Sequence, residues 1–196
     1  MNAYDFDKTI YPGDSATHFW HWCVRRYPTC VFRASAAFGP GLRALSGRLS
    51  RGELKQGLFA VLGGISDPEG EAERFWDEHI GHIYPWYMDR AREDDLVISA
   101  SPDFLITAAC RRLGIRHLAT GMDPSTGRLT TPNCWGEEKV RRYEAAFGKE
   151  KVEEFYSDSL SDLPMMRLAE RGYLVKKGAV VRMVDPDAPG GRVPKR

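Results

Sequence analysis

Apolar residues are spaced in two different ways along this chain. Across residues 15–90 they recur at three- and four-residue intervals, as Phe19, Trp20, Cys23 and Tyr27, then Leu42, Leu45 and Leu49, then Leu54, Leu58 and Leu62. Such spacing places apolar side chains on one face of a helix. Gly39-Pro40-Gly41, Gly63-Gly64 and Asp67-Pro68 interrupt the pattern, so several short helices are expected, forming one small subdomain. Elsewhere the apolar residues come in short dense runs. Leu96-Val97-Ile98 reads as a buried parallel strand, and further strands are expected at 2–4, 115–119, 152–157, 173–175 and 179–184.

Helices are expected between these runs. Ser101 as N-cap and Pro102 at the first helical position would open one that stops at Gly114. Residues 140–147, closed by Gly148, form the next, and Leu163-Pro164 enter another that ends at Gly172. Asp123-Pro124-Ser125-Thr126-Gly127 reads as a hairpin turn beside the core. Alternating strands and helices predict an α/β core from residues 1–14 and 91–185. The helical insert is 15–90, and 186–196 is a basic flexible tail.

The chemistry concentrates at strand ends. Asp5 and Asp7 lie one residue apart, just after the first strand, and repelling carboxylates this close call for a cation or a proton. The same triplet also occurs on solvated loops, and an EF-hand calcium loop is excluded because Ile10 and Ala16 stand where Gly and Glu are needed. Ser99-Ala100-Ser101 connects a strand to a helix start, a natural seat for a phosphate. Lys139, on the first turn of a helix, sits where the dipole favours acids and so suggests an anion to be held. Asp158 and Asp162 follow the strand at 152–157 and mirror the acids at the start.

Composition narrows the setting. The 196 residues, 42% hydrophobic and 28% charged, suffice for one core and a small second subdomain. A formal charge of +1 gives no overall attraction to nucleic acid. Cys23, Cys30, Cys110 and Cys134 form no C-x-x-C pair, and no secretion signal is visible, which points to a reducing cytoplasm. No apolar run reaches the roughly 18 residues of a membrane span. His79-Ile80-Gly81-His82 spells a string known from aminoacyl-tRNA synthetases, but it lies deep in the helical insert with no Lys-Met-Ser-Lys-Ser partner. Its two histidines could ligate a metal from one helix face, although no third ligand is near in sequence.

Taken in order, Asp5-Phe6-Asp7-Lys8-Thr9, Leu96-Val97-Ile98-Ser99, Gly136-Glu137-Glu138-Lys139 and the pair Asp158/Asp162 resemble the four motifs of haloacid dehalogenase superfamily phosphohydrolases, in the phosphoserine phosphatase-like subfamily with a helical cap. The resemblance implies a Rossmann-like parallel-sheet core with the helical insert as its cap. It also implies a Mg²⁺-dependent phosphomonoesterase acting on a small phosphorylated substrate. Asp5 would be the nucleophile and Asp7 the general acid and base. Asp5, the backbone carbonyl of Asp7, and Asp158 would hold the ion, with Asp162 behind or beside Asp158.

Ser99 with the Ala100 and Ser101 amides would bind phosphoryl oxygens. Lys139 would balance charge, and Thr9 would buttress the loop. Asp14 falls where an acid recognises the substrate amine in phosphoserine phosphatases, but the cap arginine has no match, with Gly57 at its place and Arg51 and Lys55 nearby. The last motif also resembles phosphatases of phosphatidylglycerophosphate. Trp20, Trp22, Arg25, Arg26, Tyr27, Phe32 and Arg33 could touch a lipid interface or pack the cap. A non-catalytic binding protein and a phosphotransferase are the alternatives.

Overall fold

The computed structural model describes residues 1–30 and 56–184. Leu42, Leu45, Leu49, Leu54, Phe32, Arg33, Arg51, Lys55 and the 186–196 tail lie outside the described residues.

Six strands form one sheet: β1 (Ala3–Tyr4), β2 (Leu96–Pro102), β3 (Arg116–Thr120), β4 (Glu154–Ser157), β5 (Arg171–Lys176) and β6 (Ala179–Val184). Their order is β3-β2-β1-β4-β5-β6, parallel throughout except for the β5–β6 hairpin. Lys177 and Gly178, at φ 51° and 73°, make that hairpin's tight turn. Helices among the described residues include α1 (Ser15–Arg26), α2 (Pro68–His79), α3 (Pro85–Met88), α4 (Asp103–Leu113), α5 (Glu137–Phe147) and α6 (Leu163–Leu168).

Strand alternation divides the core in two. Tyr4, Val97 and Tyr156 point into a cluster with Phe19, Phe75, Trp76 and Leu105, whereas Ala3, Leu96, Ile98 and Phe155 point into one with Tyr143, Met165 and Met166. α1, α2 and α4 therefore cover one face, and α5 and α6 the other. Trp76 Nε1 donates to the Leu105 carbonyl at 2.8 Å, so α2 is fastened to α4 beneath the sheet.

Three local expectations change. β2 continues through Pro102, which pairs with Thr120, and α4 starts at Asp103, so Ser101 is a strand residue and not an N-cap. The helix after Leu163 stops at Leu168. Gly172 lies in β5, where a Cβ would stand 2.8 Å from that of Met166, so strand and helix approach too closely for a side chain. The turn at 123–127 closes only a single bridge, Met122 with Leu129. Gly114 caps α4 in the left-handed conformation, as expected.

Glu71 joins α2 to α1. Its buried carboxylate accepts from Trp22 Nε1 and Tyr27 Oη, both at 2.8 Å, and pairs with Arg26 and Arg74. Burial works to raise its pKa, but these donors more than offset it and hold it below the usual range. Glu71→Ala is expected to cost about 2–4 kcal/mol by leaving buried donors unpaired. The wild-type contribution is present above the ordinary glutamate range and lost as pH falls. A urea midpoint unchanged by the substitution would refute this.

Asp95 behaves in the opposite sense. It is fully buried just before β2; Oδ2 accepts the Arg92 amide at 2.9 Å, while Oδ1 and the nearby buried Tyr87 hydroxyl have no partner among the described residues. Burial pushes its pKa up to about 6. The folded value thus exceeds the unfolded one, and stability is lost as pH rises through that window. Asp95→Asn is expected to gain about 1–2 kcal/mol at pH 7 and nothing near pH 4, as read by denaturant unfolding at both pH values.

Candidate active site

The acids gather at the C-terminal ends of the central strands, where open α/β sheets place ligands. The Asp5 amide donates to the Tyr156 carbonyl at 2.8 Å, prolonging the β1–β4 pairing and fixing its carboxylate at the sheet edge. The chain then folds tightly, with the amides of Thr9, Ile10 and Tyr11 all aimed at the Phe6 carbonyl, and Lys8 at φ 59°. The Thr9 hydroxyl donates to Asp5 Oδ2 at 3.3 Å and accepts the Asp158 amide at 2.9 Å, tying the loops after β1 and β4 together.

Lys139 is buried on the first turn of α5. Its Nζ donates to Asp5 Oδ1 at 2.6 Å and to Asp162 Oδ2 at 2.8 Å. Ser157 also donates to Asp162 Oδ2, and Asp162 Oδ1 is buried without a partner among the described residues. Two carboxylates against one ammonium leave an excess negative charge in a buried cluster. Burial pushes the Asp5 carboxyl up to about 7, opposed by Lys139 and assisted by Asp162. Burial alone would lower the Lys139 pKa, but Asp5 and Asp162 hold it above its ordinary range.

Asp7 lies across the site. Oδ2 accepts from the Ser101 hydroxyl at 2.5 Å and Oδ1 from the Ser15 amide at 2.7 Å. Burial and then the charge of Asp14 raise its pKa, while the Ser101 and Ser15 donors oppose them. The Asp158 pKa is also raised by burial, against Lys176, Lys8 and Lys139.

Asp5, Asp7, Asp14, Lys139, Asp158 and Asp162 line one open pocket of about 220 Å³, with Ala100 also on its wall. Asp14 additionally caps α1, accepting the Thr17 amide. Ser99 and Ser101 stand behind that wall: the Ser99 hydroxyl accepts the Ser101 amide at 3.0 Å, and the Ser101 hydroxyl is spent on Asp7. The sequence motifs did not single out Lys8, Trp135, Ser159 or Ser161, which complete the lining. Lys8 lies inside the first motif and Trp135 just before the third, and the folded turns place both on the pocket wall.

An all-oxygen donor set with surplus negative charge and an orphaned carboxylate oxygen fits a hard divalent cation. Among the described residues no three His, Cys, Asp or Glu side chains stand close enough to hold an ion alone. A cation here would draw on backbone oxygen as well.

A Rossmann-like α/β fold with paired aspartates, a buried lysine and a further acidic pair at the strand ends defines a class of hydrolases. The haloacid dehalogenase-like hydrolase family model matches residues 3–167, and the chain belongs to that family. It is 34% identical over 106 residues to a histidinol-phosphatase of Neisseria meningitidis serogroup C (strain 8013), a match covering 45% of this chain and 46% of the relative. The chain thus spans about half of that relative's length. A Bordetella pertussis Tohama I protein of unknown function superposes with TM-score 0.69 at 22% identity, over 89% of this chain and 88% of that one. A phosphoserine phosphohydrolase-like protein from Francisella tularensis superposes with TM-score 0.54 at 16% identity, over 89% and 87%. At these identities the two structures show the shared fold.

Proposed function

We propose that the chain is a Mg²⁺-dependent phosphomonoesterase acting on a small phosphorylated metabolite through an aspartyl-phosphate on Asp5. The observation that carries this is the Asp5–Lys139–Asp162 cluster, a buried carboxylate held by a lysine and facing a pocket that a second aspartate shares. Asp5 attacks phosphorus, forming an O–P bond as the ester O–P bond breaks, and Asp7 delivers a proton to the departing oxygen. Asp7 then takes a proton from water as it attacks the acyl phosphate, freeing phosphate and Asp5. Ser101 and Ser15 orient Asp7 for both transfers. A Mg²⁺ bound by Asp5, the Asp7 carbonyl and Asp158, with Asp162 beside them, would offset repulsion between carboxylate and phosphate. Lys139 balances the charge of Asp5 and of the transferring group.

Residues 1–14 and 91–185 are proposed as the catalytic core, 15–90 as the cap and 186–196 as a basic tail. A cytoplasmic setting is supported by four unpaired cysteines. The named relative makes histidinol phosphate a substrate to test first, beside phosphoserine. A lipid phosphate is the second reading, because Trp22, Arg25 and Arg26 flank a common surface; none of the described helices is long and apolar enough to cross a membrane.

The test is phosphate release from histidinol phosphate, phosphoserine, sugar phosphates, nucleotides and phosphatidylglycerophosphate, with Mg²⁺ or with EDTA. Turnover that EDTA abolishes and Mg²⁺ restores is expected. Inertness toward every ester would favour a binding protein that keeps the fold.

A further inference from the structure

A second pocket, about 800 Å³, lies between α1 and the end of α2 and shares no lining residue with the Asp5 pocket. Four of the chain's five histidines line it: His18 and His21 from α1, His79 at the end of α2, and His82 in the turn beyond. Arg25 and Arg26 add charge from α1, at spacings that keep them on the face of His18 and His21. The proposed hydrolysis uses none of these groups, and they include both histidines of His79-Ile80-Gly81-His82.

Three of the rings are anchored through Nδ1, that of His18 by the Tyr11 hydroxyl at 2.8 Å. His21 Nδ1 lies 2.9 Å from the Thr17 carbonyl and His79 Nδ1 2.8 Å from the Phe75 carbonyl. A carbonyl only accepts, so each ring carries its proton on Nδ1 and directs Nε2 away from its own backbone. Protonation would convert each Nε2 into a charged donor. His79 stacks on Phe75 with centroids 4.1 Å apart and meets His82 edge-on at 5.4 Å, so the imidazoles crowd one another. An anion seated among these rings and the two arginines would find donors on both helices.

Opposing acids are few. Glu78 is on the wall, Glu71 is committed to Arg26 at 3.0 Å, and Asp14 acts on His18 from beyond the rim. Arg25 and Arg26, which only donate and carry fixed positive charge, make the arrangement suit an anion better than a metal. The volume falls within the range of about 300–1,000 Å³ of metabolite sites and exceeds the need of one phosphate.

We propose that this pocket binds a ligand carrying two or more phosphate groups, either a soluble metabolite or a lipid headgroup. The test follows the histidine Cε1–H NMR signals of the full chain carrying Asp5→Asn, titrated with inorganic pyrophosphate. The signals report the pocket without any turnover, so they stand apart from the phosphatase assay. Signals of His18, His21, His79 and His82 should move saturably while that of His117 stays fixed. The double variant His21→Ala/His82→Ala should weaken binding about tenfold or more.

Vesicles of cardiolipin, which carries two phosphates per headgroup, in phosphatidylcholine, against phosphatidylcholine alone, separate the sources. Binding to the anionic vesicles that the double variant loses would assign the phosphates to a lipid, and saturable pyrophosphate shifts without vesicle binding would assign them to a soluble ligand. No shift with pyrophosphate at about 10 mM, above the usual range of metabolite affinities, together with no vesicle binding, would overturn the proposal. Binding unchanged in the double variant would overturn it equally.

Discussion

Asp5→Asn is expected to lower phosphate release by at least about 10³-fold while leaving the fold intact, because the amide cannot form the acyl phosphate on which the two-step route depends. The substitution is nearly isosteric. The amide oxygen can still accept from Lys139, which stands 2.6 Å from Asp5 Oδ1. Stability should not fall. The Asp5 carboxyl is pushed up to about 7 in the folded chain, so charging it costs stability as pH rises from the ordinary carboxylate range through that value. A neutral amide escapes this cost, and the variant's unfolding midpoint at pH 8 is expected to match or exceed that of the wild type. Retention of a tenth or more of the wild-type rate would rule out Asp5 as nucleophile. A collapsed unfolding midpoint would mean that the carboxylate is structural.

Much of this site was legible because strand ends and acid spacing are local properties. Asp5 and Asp7 follow β1, Asp158 follows β4, and Lys139 opens α5, all within a residue or two of where the hydropathy pattern places them. The layer behind was not legible. Ser99 and Ser101, two apart on a strand that pairs with β3 through Pro102, are buried and make contacts with one another and with Asp7. That outcome depends on pairing with Thr120, some twenty residues away, which no local pattern encodes. Trp135, 41% exposed and on the pocket wall, was hidden for a related reason: Gly136, at φ 58°, turns the chain between the indole and α5. Likewise the histidine pocket joins residues 18–26 to residues 78–82, a proximity that the Glu71 contacts create between helices distant in sequence.

Lys139→Met should damage both stability and chemistry. The ammonium is buried between Asp5 and Asp162, at 2.6 and 2.8 Å, and its removal leaves two carboxylates facing each other with no cation between them. Breaking a buried pair from one side costs about 3–5 kcal/mol. The sign with pH is distinctive. In the wild type the Lys139 pKa is raised, so its contribution holds at neutral pH and fades only as pH climbs past the ordinary lysine range. In the variant the unpaired carboxylates take up protons more readily, and the deficit should shrink steadily from pH 8 to pH 5. Adding Asp5→Asn to Lys139→Met removes one of the two stranded charges. Because the residues touch, the effects cannot be additive, and the double variant should recover about half of the lost stability. Mg²⁺ supplies a second readout. If the ion seats among these oxygens, it should raise the melting temperature of Lys139→Met more than that of the wild type, since it replaces the missing positive charge. Equal shifts in the two chains, or a deficit that stays constant between pH 5 and pH 8, would show that Lys139 supports packing alone and that the surplus charge at Asp5 and Asp162 is settled by other means.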